Sequence, residues 1–482
     1  MPDSTRDSGG PPVPDVLPKG PLLTCPNGFG AVPESDRWVP WLVGGVVGVI
    51  VLAPYVTLGM RHSPALRVQA ALVLLATTVL AAAGLSRRDW LQQIKSAPRR
   101  IKIGIAAYSG AAFLGALVGL TQGNDLAFLS GQLLSMGLLP LAAVAGLAFG
   151  RAPLWRPFAA AVVGSVTVAA CINFACLGLG IGVGPSANRL FLEVTPGNTV
   201  APTSAALITV NMALAAMAWE RPFARWVSAL AIVVTSILIV GSGIRSLWLV
   251  AAPSFVAVAL SSRALRDLAS GKKLLRVVSG IAAIASILLA FLVLWRPPSG
   301  LTRSLTARVR GEAALLTGRA AYLIPGISGR TFMDDPSIAY RTTETEFLVG
   351  AFAAARPITK LLGRGLGYSY LSKKLGLDDN GSPAAMHATN YVHNFYLFLP
   401  VKLGVVGSFA VLAALGLWTT WSVRAARGCH SEPQRTFVIA ASAIWIAAAV
   451  WNAASPEFID FHLAPLWGLL LAASVNAWGR SN

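Results

Sequence analysis

The sequence predicts an all-α polytopic membrane protein of about twelve transmembrane helices, with one large outer loop carrying short amphipathic helices. Three observations predict it. Hydrophobic residues make up 55% of the 482 and charged residues 12%, against about 25% charged in a soluble domain. Mean hydropathy is +0.63, more apolar surface than an ordinary globular core can house. Several runs nearly lack charge over about 20 residues, the length at which a helix crosses the hydrocarbon layer.

The elements follow in order. Residues 1–37 hold eight prolines and five glycines and no apolar core. They read as a disordered cytoplasmic tail and not as a cleaved leader, which needs an apolar stretch. The first apolar run then serves as an uncleaved anchor. The block 38–295 contains nine expected spans, near 38–58, 66–85, 101–121, 125–150, 157–181, 202–219, 226–243, 246–262 and 277–295. Residues 296–393 form the large outer loop. The block 394–482 contains spans near 394–418, 437–453 and 461–478, then a short cytoplasmic C-terminus.

Orientation comes from lysine and arginine, which collect on the cytoplasmic side of short loops. With the tail inside, the inner segments carry 22 of the 39 basic residues, six of them between Arg87 and Lys102. The short outer loops carry only Arg61, Arg67, Arg189 and, at a helix mouth, Arg245. The loop 296–393 holds twelve basic and seven acidic residues; long loops escape the rule. Its net charge of +5 suits either solubility beside headgroups or an anionic partner presented at the lipid surface. Within it, 340–362 has helical spacing, with Phe347, Val349, Phe352 and Ala355 among its apolar positions, and is expected along the interface or over the helix mouths.

Few residues can carry chemistry. Arg245, in Ile239–Val250, is a permanent cation between two apolar runs, preceded by Gly241-Ser242-Gly243. Such a charge faces a cavity or partner, or snorkels to headgroups; at an outer mouth its fork of donors suits a phosphate. His393, with Asn394 beside it, falls at the outer mouth of the tenth span, where an imidazole can exchange a proton near neutral pH or simply bond to water and backbone. His387 is a second candidate. Gly363, Gly365 and Gly367 permit close backbone approach to a phosphate or sugar, or make a plain turn. The pairs Asp334–Asp335 and Asp378–Asp379 sit in turn sequence beside Pro, Asn or Gly. Cys25, Cys171, Cys176 and Cys429 show no metal or disulfide spacing. Lys402, about 13 Å along the helix from His393, calls for a cavity or a buried partner.

His393-Asn394, nine residues, then Gly404-x-x-Gly407 resembles the His-[Asn/Ser/Gln]-x9-Gly-x-x-Gly signature of O-antigen ligases. The region 235–410 is similar to the part those ligases share with Wzy-type polymerases. It has an outward Ser-Gly-Ile-Arg turn ending at Arg245, an arginine-led helix from Arg341 into Gly363-x-Gly365-x-Gly367, and then the His-Asn helix. Arg341 lies 22 residues before Gly363, and Arg356 and Arg364 are alternatives for its role.

The resemblance implies a metal-independent, cofactor-free glycosyltransferase in the bacterial inner membrane, with its site and large loop facing the periplasm. It implies an undecaprenyl-diphosphate-linked glycan as donor and lipid A-core, a glycan or another hydroxyl as acceptor. Membrane lipids are the remaining partners; nucleic acid is not one. His393 would deprotonate or orient the acceptor hydroxyl, and Arg245 and Arg341 would neutralise the departing diphosphate. Asn394, Arg364, Gly363, Gly365 and Gly367 would contact substrate, while Gly404 and Gly407 would let a neighbouring helix approach. A repeat-unit polymerase shares all of this chemistry. A transporter of lipid-linked sugars is the alternative of a different class, but the ionisable residues gather in one outer loop and not along a midplane path.

Overall fold

Lipid offers the amides of the apolar runs no outside partner, so each run satisfies its backbone within itself, as a helix. A computed structural model describes residues 36–57, 62–150, 152, 154–178, 192–195, 198–200, 203–217, 222–241, 245–261, 336–373, 386–389, 392–429, 431–453 and 455–479. The tail to residue 35, the turn 242–244, the span expected at 277–295, the loop up to 335 and both Asp-Asp pairs lie outside these residues. In chain order the helices are α1 (Val39–Val56), α2 (His62–Leu85), α3 (Trp90–Ser96), α4 (Arg99–Thr121), α5 (Leu126–Ala148), α6 (Trp155–Gly178), α7 (Thr203–Ala216), α8 (Pro222–Gly241), α9 (Arg245–Ser261), α10 (Pro336–Ala353), α11 (Pro357–Leu362), α12 (Phe395–Gly428), α13 (Glu432–Trp451) and α14 (Ala464–Gly479). Two short antiparallel ribbons accompany them, β1 (Leu192–Thr195) with β2 (Asn198–Val200) and β3 (Tyr370–Lys373) with β4 (Met386–Thr389).

Seven of the described helices, α1, α2, α4, α5, α6, α12 and α13, are long and apolar enough to cross a membrane. The chain is a multi-pass helical membrane protein. Helices α7, α8, α9 and α14 stand at four more of the expected spans. The 14 residues of α7 reach about 21 Å at 1.5 Å each, short of a hydrocarbon layer about 30 Å thick. Helix α3 was not expected; it turns the basic segment between α2 and α4 into structure.

Small residues and aromatics hold the bundle. A Cβ on Gly468 of α14 would lie 2.2 Å from the Leu139 carbonyl oxygen of α5, so glycine there lets the two backbones meet. Tyr108 of α4, Trp418 of α12, Trp445 of α13, Phe458, Trp467 of α14 and Phe395 form a chain of ring contacts with centroids 5.4–5.8 Å apart. Each such pair adds about 0.5–1.5 kcal/mol beyond area burial in water.

The bundle has two chemically distinct ends. At one, Arg87 after α2 bonds Asp36 before α1 at 2.6 Å. Near the end of α14, Asn476 bonds the carbonyls of Gly150 and Ala152 and the amide of Leu154, between α5 and α6. At the other end, the connection from α13 to α14 makes two ties. Asn452 accepts the Phe395 amide at 3.0 Å on its backbone oxygen, fixing the start of α12. His462 Nε2 lies 2.9 Å from Gln69 Oε1 of α2, and Gln69 donates to Thr57 at the end of α1.

The segment 340–362 is not one helix. Arg356 is extended (φ −61°, ψ 151°) because proline at 357 disfavours the helical conformation of the residue before it. The inward face of α10 also differs from the expected apolar set. Glu344 and Leu348 are buried there, while Phe347 and Val349 are each 49% exposed.

Candidate active site

Helix α12 begins at Phe395 because Asn394 caps it: its Oδ1 accepts the amides of Tyr396 at 2.8 Å and Leu397 at 3.4 Å. The expected substrate contact at Asn394 is therefore, on its oxygen, a helix cap. His393 precedes the cap, with its side chain 32% exposed. Its ring Nδ1 lies 3.2 Å from each carboxylate oxygen of Glu344, and its backbone amide donates to Oε2 at 3.1 Å. The Tyr370 hydroxyl, from β3, donates to Oε1 at 2.6 Å. Burial pushes the Glu344 carboxyl up, but the hydrogen bonds from His393 and Tyr370 and the histidine's charge outweigh it and hold the group below the ordinary glutamate value.

Glu344 is the residue that sequence reasoning missed, counted only among the acids of the loop. A signal was present. Tyr340, Glu344, Leu348, Ala351 and Ala355 share one stripe at helical spacing, and an acid on a buried stripe needs a partner. Arg341 stands three residues before Glu344 on the same helix and is exposed. The structure thus brings Glu344 and His393 together, with Arg341 also on α10. Arg245 is the first residue of α9, a helix that packs against α7 and α13. His387 lies on β4, paired in register with Ser372.

The three glycines do something other than expose amides. Gly363, Gly365 and Gly367 have φ of +81°, +77° and +80°. The loop they form threads between α4, α5 and α12. Its consecutive amides all donate inside the protein: Gly363 to Thr359 O (2.7 Å), Arg364 to Val401 O (2.9 Å), Gly365 to Lys402 O (2.9 Å), Leu366 to Gly115 O (2.8 Å) and Gly367 to Gln132 Oε1 (2.8 Å). A phosphate cradle needs such amides for its ligand; here they serve packing.

Two of these acceptors exist because α12 is broken. Gly404 has φ +65° and ψ −173° inside the helix, which releases the carbonyls of Val401 and Lys402 to the loop. A Cβ on Gly404 would lie 2.3 Å from Leu361 O and Gly363 N, and one on Gly407 would lie 2.5 Å from the Cβ of Leu403. The expected close approach of another helix to these two glycines is instead the approach of a loop to the first and a bend of α12 at the second. Lys402, fully buried, finds its partner here: its Nζ donates to the Tyr368 carbonyl and lies 5.5 Å from the Tyr368 ring centre.

Arg364 is half-buried with its guanidinium carbon 4.9 Å from the Tyr368 ring centre. It stands at a small, mainly apolar depression lined by Leu348, Phe352, Ala355, Thr359, Tyr368 and Val401, among others. Arg356 is exposed at the start of α11. Among the described residues no three His, Cys, Asp or Glu side chains converge as metal ligands would.

The arrangement can move a proton at His393, at the start of a membrane-spanning helix. No protein-family model matches the chain, and no curated protein matches it.

Proposed function

We propose that this chain is a membrane glycosyltransferase of the O-antigen ligase type, moving a glycan from undecaprenyl diphosphate to an acceptor hydroxyl. On this reading it has twelve spans and both termini in the cytoplasm. Residues 296–393 lie in the periplasm, outside the bacterial inner membrane. The observation that carries the reading is the imidazole of His393, partly exposed at the mouth of α12 and held by α10, the helix that bears Arg341. Arg364, half-buried against the Tyr368 ring, adds a cation suited to a lipid's phosphates at headgroup depth.

The chemistry is a displacement at the anomeric carbon. The acceptor oxygen forms the new bond, the bond to the diphosphate oxygen breaks, and the acceptor's proton passes to His393. Arg341, Arg245 and Arg364 offset the charge growing on the diphosphate, a task for fixed cations. The test is the surface-glycan profile of a deletion strain. Loss of long glycan from its acceptor, with lipid-linked polymer accumulating, supports a ligase; single repeat units on the acceptor indicate a polymerase. An unchanged envelope glycan overturns both.

A further inference from the structure

We infer that Glu344 is the positioning residue for His393, holding the imidazole in the tautomer with its proton on Nδ1 and its lone pair on Nε2. The inference rests on the reading of His393 as the base that meets the acceptor. An ionised carboxylate offers only lone pairs, and both oxygens of Glu344 lie 3.2 Å from Nδ1. The neutral ring therefore gains the hydrogen bond to Glu344 only when Nδ1 carries the proton. The other tautomer would set a nitrogen lone pair against two carboxylate oxygens in a buried place.

The carboxylate is itself held from three directions, so it cannot turn away to suit either tautomer. It projects from α10, receives the Tyr370 hydroxyl from β3, and receives the His393 amide at the entry to α12. The Phe347 ring stacks on Tyr370 with centroids 5.8 Å apart, backing the hydroxyl. Glu344 is 6% exposed, so water does not compete for its lone pairs. A base whose orienting group comes from a second element is preorganised before substrate arrives. When the acceptor's proton reaches Nε2, the ring becomes a cation beside a carboxylate already in place, and no group has to reorganise.

The tautomer can be measured without any glycan. The protein, labelled with ¹⁵N-histidine and reconstituted in bilayers, contains five histidines, and subtracting the spectrum of His393→Gln isolates the ring in question. At a pH where that ring is neutral, a protonated Nδ1 and an unprotonated Nε2 are expected. Glu344→Gln puts an amide donor in place of one oxygen, so both tautomers should appear and turnover should fall about 10–100-fold with little change in KM. Glu344→Asp, which keeps the carboxylate, should restore the single tautomer and part of the turnover. A wild-type ring protonated on Nε2, or mixed, overturns the inference even if neither Glu344 variant folds. A single tautomer in a protein inactive toward every lipid-linked donor supports the positioning and overturns the transferase reading.

Discussion

Nδ1 of His393 lies 3.2 Å from both carboxylate oxygens of Glu344, joining α10 to the start of the membrane-spanning α12. The Glu344 carboxyl is held below its ordinary value, which gives the contact a pH dependence of fixed sign. An unfolded glutamate titrates near about 4.3. Stability from a depressed pKa is fully present above that value and is lost as pH falls through the lower folded value. The thermal stability of wild type over Glu344→Gln, measured in detergent, should therefore still be present at about pH 5, above the unfolded value. Below about pH 4 it should shrink toward zero, because protonation makes the two side chains alike. An advantage that grows on acidification would contradict the assignment.

The glycine loop makes a second prediction. A Cβ on Gly365 would lie 2.2 Å from Gly119 N and 2.3 Å from Gly119 Cα, backbone atoms of α4, at a φ of +77°. Gly365→Ala should destabilise by about 1–3 kcal/mol, from strain and overpacking together. Gly350→Ala, on α10 with nothing within 4 Å of its Cβ, should be neutral or stabilising by up to about 1 kcal/mol. Equal effects at the two positions, by thermal or denaturant unfolding, would show that the loop is not packed as described.

The seven long apolar helices were legible because span length and missing charge are local properties that no tertiary contact has to supply. The split of 340–362 was legible too, in Pro357, although its apolar periodicity alone reads as one helix. Glu344 was harder. Acids in a basic loop read as solvated, and its burial depends on Tyr370 and His393, 26 and 49 residues further on. Alternating glycines reveal backbone freedom but not what fills the space. Lipid phosphate and the carbonyls of a broken helix are equally good reasons for them until Gly404 is seen out of helical geometry. Lys402 announced a buried partner, and a backbone carbonyl, having no sequence signature, could not be named in advance.

The charge count yields a topology prediction. Residue 320 should lie outside the cytoplasm and residue 430 inside. In a chain freed of its four native cysteines, Ala320→Cys should react with an impermeant thiol reagent in cells whose outer membrane is permeabilised. His430→Cys should react only after the inner membrane is lysed. The reverse pattern would place His393 on the side opposite to its proposed substrates.

The histidine and the arginines should separate kinetically. If His393 takes the acceptor's proton, His393→Ala lowers turnover by about 10²–10⁴-fold, while binding of the lipid donor, which meets the cations instead, stays near wild type. The variant should fold, since its side chain is 32% exposed and the cap that starts α12 belongs to Asn394. Arg341→Ala should instead weaken donor binding together with turnover. Arg341→Lys should recover only part of either, a point charge replacing a two-pronged donor. Arg364 loses more than charge, because its guanidinium lies against the Tyr368 ring; Arg364→Lys should fall nearer to Arg364→Ala than the corresponding pair at 341 does. Donor binding is read by titrating a fluorescent polyprenyl diphosphate, and turnover by gel shift of the acceptor in proteoliposomes. A well-folded His393→Ala protein that transfers glycan at the wild-type rate would remove the base from this mechanism, and His387, on the ribbon that carries Tyr370, would be the next residue to replace.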